Sequence, residues 1–210
     1  MDLEKLISTL KSNAAVKEAL TLLRSQLPTT LFYHAYEHTE DVLHEAVQLA
    51  TSDGLSPRDI ELIAIAAAWH DVGFIWQSNN NEPLAADAVK RYLSGSTQCT
   101  PKEIDLIAQM ILDTALISAG DSWKQVATRP LSCYLLDADL ANFGRDDFFD
   151  KSELQRRELG EEVDSFRQKT LMLVRSHTWH TPAARAKWQA KKDANVAALE
   201  RLLSTGQRTV

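Results

Sequence analysis

Apolar residues recur every three or four positions along most of this chain, which is the spacing of an amphipathic helix. Val42, Ala46 and Leu49 lie on one face of a helix predicted over residues 35–50. Residues 60–70 are apolar almost all round, a pattern typical of a buried central helix. Further helices are predicted near residues 3–10, 16–23, 104–111, 131–140 and 182–206. Because no run alternates apolar and polar residues, the pattern predicts an all-α fold.

Prolines mark the starts of three of these helices. Pro57, Pro101 and Pro182 each follow a Ser or Thr, which is the order expected for a helix cap and a first helical turn. Gly73 is expected to end the central helix. The charged segment 144–162 is predicted to form a loop and a solvated helix.

Length and charge narrow the class of protein. A chain of 210 residues suits one domain. The net charge of −6, with no Lys- or Arg-rich run, argues against stable nucleic-acid binding and against binding to anionic membranes. The most apolar segment, 60–76, is interrupted by charged residues and is too short to span a bilayer. Met1–Lys5 does not resemble a signal peptide, and Cys99 and Cys133 are expected to be free thiols, so we expect a cytoplasmic protein.

Residues of the types that bind metal ions lie in three of the predicted helices. His38 lies near the start of one helix, and His70 and Asp71 lie at the end of the central helix. Asp137 and Asp139 lie inside a third, otherwise apolar helix. Burying a carboxylate is costly unless it is paired or bound to a metal. The residues therefore predict a shared divalent cation, and imidazole with carboxylate suits Mn, Mg, Fe, Co, Ni or Zn.

The order of these residues resembles a known family. A His, then a His-Asp pair, then an Asp on separate helices is similar to the HD-domain superfamily, and more narrowly to its predicted metal-dependent phosphohydrolases. The motifs that carry the resemblance are Tyr33–Thr39, Trp69–Gly73, Asn81-Glu82, Asp137–Leu140 and His180–Arg185. The resemblance implies a single-domain, all-α HD-domain helical bundle. Residues 31–205 would form the phosphohydrolase core with its C-terminal helix, and residues 1–30 a helical segment packed on it.

The resemblance also implies a ligand set for one divalent metal ion. The residues that match are His38, His70, Asp71 and Asp139. Asp137 is the alternative to Asp139, because the two lie about 200° apart on a helix and only one is expected to face the metal. No His lies between Asp71 and Asp139, which favours a single metal ion. Three carboxylates remain as weaker candidates for a second ion, namely Glu82, Asp87 and Asp113.

The implied activity is hydrolysis of a phosphate ester by a metal-bound water. The substrate is expected to be a nucleotide or another small phosphorylated metabolite. Asp71 and Glu37 are the candidates to orient the water or accept its proton. His34, Arg185 and Glu82 are the candidates for substrate binding. Two alternatives stay open, a cyclic-nucleotide phosphodiesterase and a non-catalytic metal- or nucleotide-binding sensor. A homodimer is also possible, through exposed tryptophans expected at Trp123, Trp179 and Trp188.

Overall fold

The structure is a computed structural model that describes residues 2–120 and 122–206. In that part of the chain, ten α-helices account for most residues, which confirms the all-α fold class. The first five helices are α1 (Leu3–Lys11), α2 (Ala14–Gln26), α3 (Tyr36–Ser52), α4 (Pro57–Trp69) and α5 (Asn81–Ser94). The others are α6 (Pro101–Leu112), α7 (Ser132–Asp139), α8 (Phe148–Leu159), α9 (Val163–Ser176) and α10 (Pro182–Gly206). Two short 3₁₀ helices cover Val72–Ile75 and Ala141–Gly144.

The predicted helix starts are confirmed. Ser56 accepts a hydrogen bond from the backbone N–H of Asp59, and Pro57 occupies the first turn of α4. Thr100 and Glu103 form a reciprocal capping box at the start of α6. Because each cap satisfies backbone N–H groups that lack a partner within the helix, these short motifs fix the helix ends locally.

Helix α4 is the centre of the main core, as its apolar sequence predicts. Every residue from Leu62 to Trp69 is buried, and the helix contacts α2, α3, α5, α6 and α7. Apolar residues of α1 and α2, including Ile7 and Leu23, belong to the same buried cluster. The end of α4 is therefore held from several sides, and His70 and Asp71 follow directly after it.

A second apolar cluster joins α8, α9 and α10. Phe148, Val174, Trp179 and Trp188 are buried in it. The expectation that Trp179 and Trp188 are exposed was wrong, since each is only 2% exposed. Trp123 is 39% exposed, as expected. The two buried indoles pack against each other, with ring centroids 5.1 Å apart.

Two local features differ from the sequence prediction. A short antiparallel hairpin pairs β1 (Ile117–Ala119) with β2 (Ser122–Lys124), in a stretch where no strand was predicted. Its strands are three residues long, too short to show an alternating pattern. Helix α4 ends at Trp69, before Gly73. Gly73 instead permits a close approach, because a Cβ there would overlap the backbone carbonyl of Asn81 at the start of α5.

The length and the hydropathy of a helix decide whether it could cross a membrane. None of those within residues 2–120 and 122–206 is both long enough and apolar enough to do so.

Candidate metal centre

Three helix ends bring four side chains together. His38 lies in the first turn of α3, His70 and Asp71 follow α4, and Asp139 is the last residue of α7. The His38 Nε2 atom lies 3.2 Å from Asp139 Oδ1 and 3.5 Å from Asp71 Oδ2. The His70 Nε2 atom lies 3.1 Å from Asp71 Oδ2 and 3.7 Å from Asp139 Oδ1. Two imidazoles and two carboxylates thus face one small volume.

The donor set of this cluster fits a divalent cation. His70 Nδ1 donates a hydrogen bond to the carbonyl of Ala67 at 2.7 Å, which directs Nε2 towards the cluster. His70 Nε2 and Asp71 Oδ2 are buried and make no hydrogen bond with any residue in the described ranges. Buried polar atoms without a partner are rare in proteins. His38, His70 and Asp71 each offer a ligand atom within 4.8 Å of the others, so this buried group has the geometry to hold a metal ion.

In the cluster, the histidines and the carboxylates stabilise each other's charged forms. Burial opposes the charged form of His70, but the carboxylates of Asp71 and Asp139 outweigh it and raise the pKa of His70 to about 9. Burial likewise works against ionised Asp71, yet the charges of His70, His34 and His38 hold the pKa of Asp71 well below its usual range. The carboxylate of Asp71 is therefore ionised at neutral pH, the form in which it binds cations.

The two aspartates of α7 have different surroundings. Asp139 faces His38 and His70, as described above. Asp137 is fully buried on the opposite side, where it accepts hydrogen bonds from the backbone N–H of His180 at 2.9 Å and of Thr181 at 2.8 Å. The hydroxyl of Thr181 also donates to Asp137, at 2.8 Å. Asp137 thus holds the turn that precedes α10, and the geometry brings Asp139 to the cluster.

Gln125 supports Asp139 from behind. Its side-chain amide donates to Asp139 Oδ2 at 2.6 Å and to the carbonyl of Thr114 at 2.8 Å. Gln125 is buried and follows strand β2. Sequence reasoning missed this residue, because nothing in the local pattern around a lone Gln signals a contact with an aspartate fourteen residues away.

His34 and Glu82 lie close to the cluster. The imidazole of His34 stacks on Phe74, with centroids 4.4 Å apart, and its edge faces His38 at 5.7 Å. Glu82 is partly buried in the first turn of α5. Burial raises the pKa of Glu82, and the negative charges of Asp71 and Asp139 raise it further. Two of the three predicted substrate-binding residues, His34 and Glu82, are therefore affected by the charges of Asp71 and Asp139.

Glu37 and Arg185 lie differently from the sequence expectation. Glu37 is exposed, because one residue along a helix turns the side chain by about 100° away from His38. Arg185 is also exposed, and it donates to the backbone carbonyl of Trp179 at 3.2 Å. Among the described residues, neither side chain forms a hydrogen bond or an ion pair with the cluster.

Two of the three carboxylates considered for a second ion, Asp87 and Asp113, lie apart from Glu82. Asp87 is exposed on α5. Asp113 accepts hydrogen bonds from the backbone N–H and hydroxyl of Thr128, at 2.8 and 2.9 Å to Oδ2. It thereby fixes the segment after the hairpin, and the structure does not place it with Asp71.

Solved structures of other proteins have a similar fold. YpgQ from Bacillus subtilis, crystallised in complex with ADP, matches at 14% identity and a TM-score of 0.61, over 90% of this chain and 97% of that chain. A protein from Lactobacillus plantarum matches at 15% identity and a TM-score of 0.67, over 93% and 98%. Lin1889 from Listeria innocua matches at 15% identity and a TM-score of 0.58, over 97% and 98%. These similarities show that the chain shares its fold with the three proteins.

No family model matches the chain, and no curated protein matches it.

Proposed function

We propose that this protein is a metal-dependent phosphohydrolase that acts on a nucleotide or a similar small phosphate ester. The observation that carries the proposal is the convergence of His38, His70, Asp71 and Asp139, in which two buried ligand-type atoms make no hydrogen bond with any described residue. The HD-like fold and the ADP bound to one structural neighbour support the same class of substrate.

The four side chains would hold one divalent cation. When bound, such a cation activates water and polarises a phosphoryl oxygen. It also offsets the negative charge of Asp71 and Asp139, which otherwise repels a phosphate. The mixed nitrogen and oxygen donors suit several first-row metals as well as Mg, so the identity of the ion is left to measurement.

The residues around the centre have complementary roles in this proposal. Asp71 orients the attacking water through its carboxylate. Burial and the charges of Asp71 and Asp139 raise the pKa of Glu82, which suits a group that shares a hydrogen bond with the substrate. His34 presents an imidazole next to His38 and contacts the phosphate. Glu37 and Arg185 are exposed, so the proposal assigns them no direct contact with the reacting atoms.

Metal content tests the ligand set. The purified chain is expected to bind about one equivalent of Mn, Co or Zn, and His38→Ala and Asp71→Ala are each expected to lose most of it. His44→Ala on α3 and the exposed Asp87→Ala on α5 are matched controls that keep the metal. If both ligand variants retain metal and activity, the proposed centre is wrong.

A substrate panel tests the reaction. The metal-loaded protein is assayed with nucleoside mono-, di- and triphosphates, cyclic nucleotides, p-nitrophenyl phosphate and bis-p-nitrophenyl phosphate. Hydrolysis of monoesters or of phosphoanhydrides supports the proposal, whereas hydrolysis of diesters alone favours a phosphodiesterase. Stoichiometric metal with no turnover on any compound contradicts an enzymatic function and favours a sensor.

A further inference from the structure

Glu158 of α8 reaches into the region of the metal centre. Its side chain is only 7% exposed. One carboxylate oxygen accepts hydrogen bonds from the backbone N–H of Tyr33 at 2.8 Å and of His34 at 3.1 Å. The other oxygen accepts a hydrogen bond from the imidazole Nδ1 of His34. A carboxylate that is 124 residues away in the chain therefore holds both the backbone and the ring of His34.

These contacts determine where the imidazole of His34 points. With Nδ1 held by Glu158, Nε2 lies on the far edge of the ring. Phe74 stacks on one face of the ring, and Tyr33 meets it edge to face at 4.9 Å. Nε2 makes no hydrogen bond with the described residues, and 22% of the side chain is exposed. The ring is thus fixed in orientation while one nitrogen is left without a protein partner.

The buried, inward-directed position of Glu158 favours a functional contact with His34 over a purely structural one. Burying a carboxylate against an imidazole is costly unless the pair is well bonded. Glu153, on the same helix, forms an ordinary surface pair with Arg156 at 2.8 Å. Glu158 instead is directed inward and bonds His34, next to His38. A carboxylate behind a histidine is a recurrent way to fix the ring and its tautomer.

We propose that Glu158 is a positioning residue, which holds His34 so that Nε2 contacts the phosphoryl group of the substrate at the metal centre. This inference rests on the proposed phosphohydrolase function. Through Glu158, helix α8 becomes part of the functional site, although it carries none of the proposed metal ligands. Because Glu158 also binds backbone N–H groups of Tyr33 and His34, the experiment has to separate its effect on the ring from its effect on the loop.

A double-mutant cycle on kcat/KM separates the two effects. Glu158→Gln and His34→Ala are each expected to lower kcat/KM by about 10- to 100-fold, the range seen for partners of functional histidines. If Glu158 acts through the imidazole, the double variant is expected to be no worse than His34→Ala alone. If the two losses multiply, Glu158 acts through the loop backbone and the proposal is overturned. Glu153→Gln, on the same helix, is the control and keeps wild-type kcat/KM.

A second measurement does not depend on turnover. In ¹⁵N-histidine NMR of the zinc-loaded full chain, the His34 resonances are assigned by their loss in His34→Ala. A protonated, hydrogen-bonded Nδ1 is expected in wild type and not in Glu158→Gln. Added inorganic phosphate is expected to shift the His34 Nε2 resonance in wild type, and much less in Glu158→Gln. An identical His34 spectrum in both proteins, or no response to phosphate in wild type, overturns the inference. Failure of the proposed function would instead appear as absent turnover across the substrate panel.

Discussion

Asp137 and Asp139 lie two residues apart on α7, and their carboxylates contact different parts of the molecule. Asp137 accepts three hydrogen bonds from the turn before α10, and Asp139 faces the two histidines of the centre. Buried hydrogen bonds to a charged group contribute to the stability of the fold. Loss of Asp137 is therefore expected to lower the stability of the fold, and loss of Asp139 is expected to weaken metal binding.

Alanine variants are expected to separate these roles. Asp137→Ala is expected to lower the free energy of unfolding by about 2–4 kcal/mol, because three donors lose their acceptor. The folded fraction of that variant is expected to keep its metal. Asp139→Ala is expected to lose metal, with a smaller change in the free energy of unfolding of the metal-free protein. Urea unfolding and metal analysis of both variants check this, and the reverse pattern would make Asp137 the ligand.

Gln125 is expected to tune metal affinity without touching the ion. Gln125→Leu removes the donor to Asp139 Oδ2 at similar side-chain volume. Loss of such an outer partner typically weakens metal binding by about 10- to 100-fold. Competition with a fluorescent chelator measures the affinity. Gln189→Leu on α10 breaks a comparable bond to Asp193, of 2.7 Å, and serves as the control with unchanged affinity. Equal affinity in the Gln125 variant would show that Asp139 needs no such support.

At the scale of elements, the helix ends were predictable and the long-range partners were not. Ser56 and Thr100 act through hydrogen bonds within four residues, so their effect is visible in the sequence. Gln125 and Glu158 act only after the chain has folded, since they contact residues that are 14 and 124 positions away. The sequence indicated which residue types could bind a metal, and the family resemblance favoured Asp139. The residues alone left Asp137 as the alternative, because the choice depends on how α7 is rotated against α3.

The contact between α9 and α10 contains a histidine that is expected to control acid stability. Burial, together with the positive charges of Lys192 and His180, lowers the pKa of His177 to about 3. In the unfolded chain a histidine titrates near its ordinary value of about 6.5. Between these two values the unfolded state binds a proton that the folded state does not, so stability falls as the pH drops below about 6.5 and rises with pH in this window.

His177→Gln is expected to flatten this acid dependence. For a pKa of about 3 in the folded state, the penalty at pH 5 is about 2 kcal/mol relative to neutral pH. The variant is expected to lose about that much less stability between pH 7 and pH 5, as measured by urea unfolding of the metal-free proteins. His44→Gln on α3 is the control and keeps the wild-type slope. Parallel curves for wild type and His177→Gln would mean that another group governs the acid limb.

At the scale of the whole molecule, the proposed ion joins three helices that are far apart in sequence. α3, α4 and α7 each begin or end near a proposed ligand, and their packing brings two carboxylates together. The all-α architecture follows from the hydrophobic pattern, because the central apolar helix α4 has to be enclosed by the others. The convergence of the ligands at its end is a property of the packing, so metal binding and folding stability are expected to be linked.

Metal is therefore expected to raise the melting temperature of the whole chain. An ion that binds only the folded state adds about 2.7 kcal/mol when its free concentration is 100 times its Kd. For a domain of this size, each kcal/mol shifts the Tm by about 2–4 °C, so a rise of about 5–10 °C is expected. Differential scanning calorimetry with and without chelator measures it. His38→Ala and Asp71→Ala are expected to show no rise, while His44→Ala keeps it. A rise of the same size in the ligand variants would place the stabilising ion elsewhere on the molecule, because the free energy of binding can only come from a site that those variants leave intact.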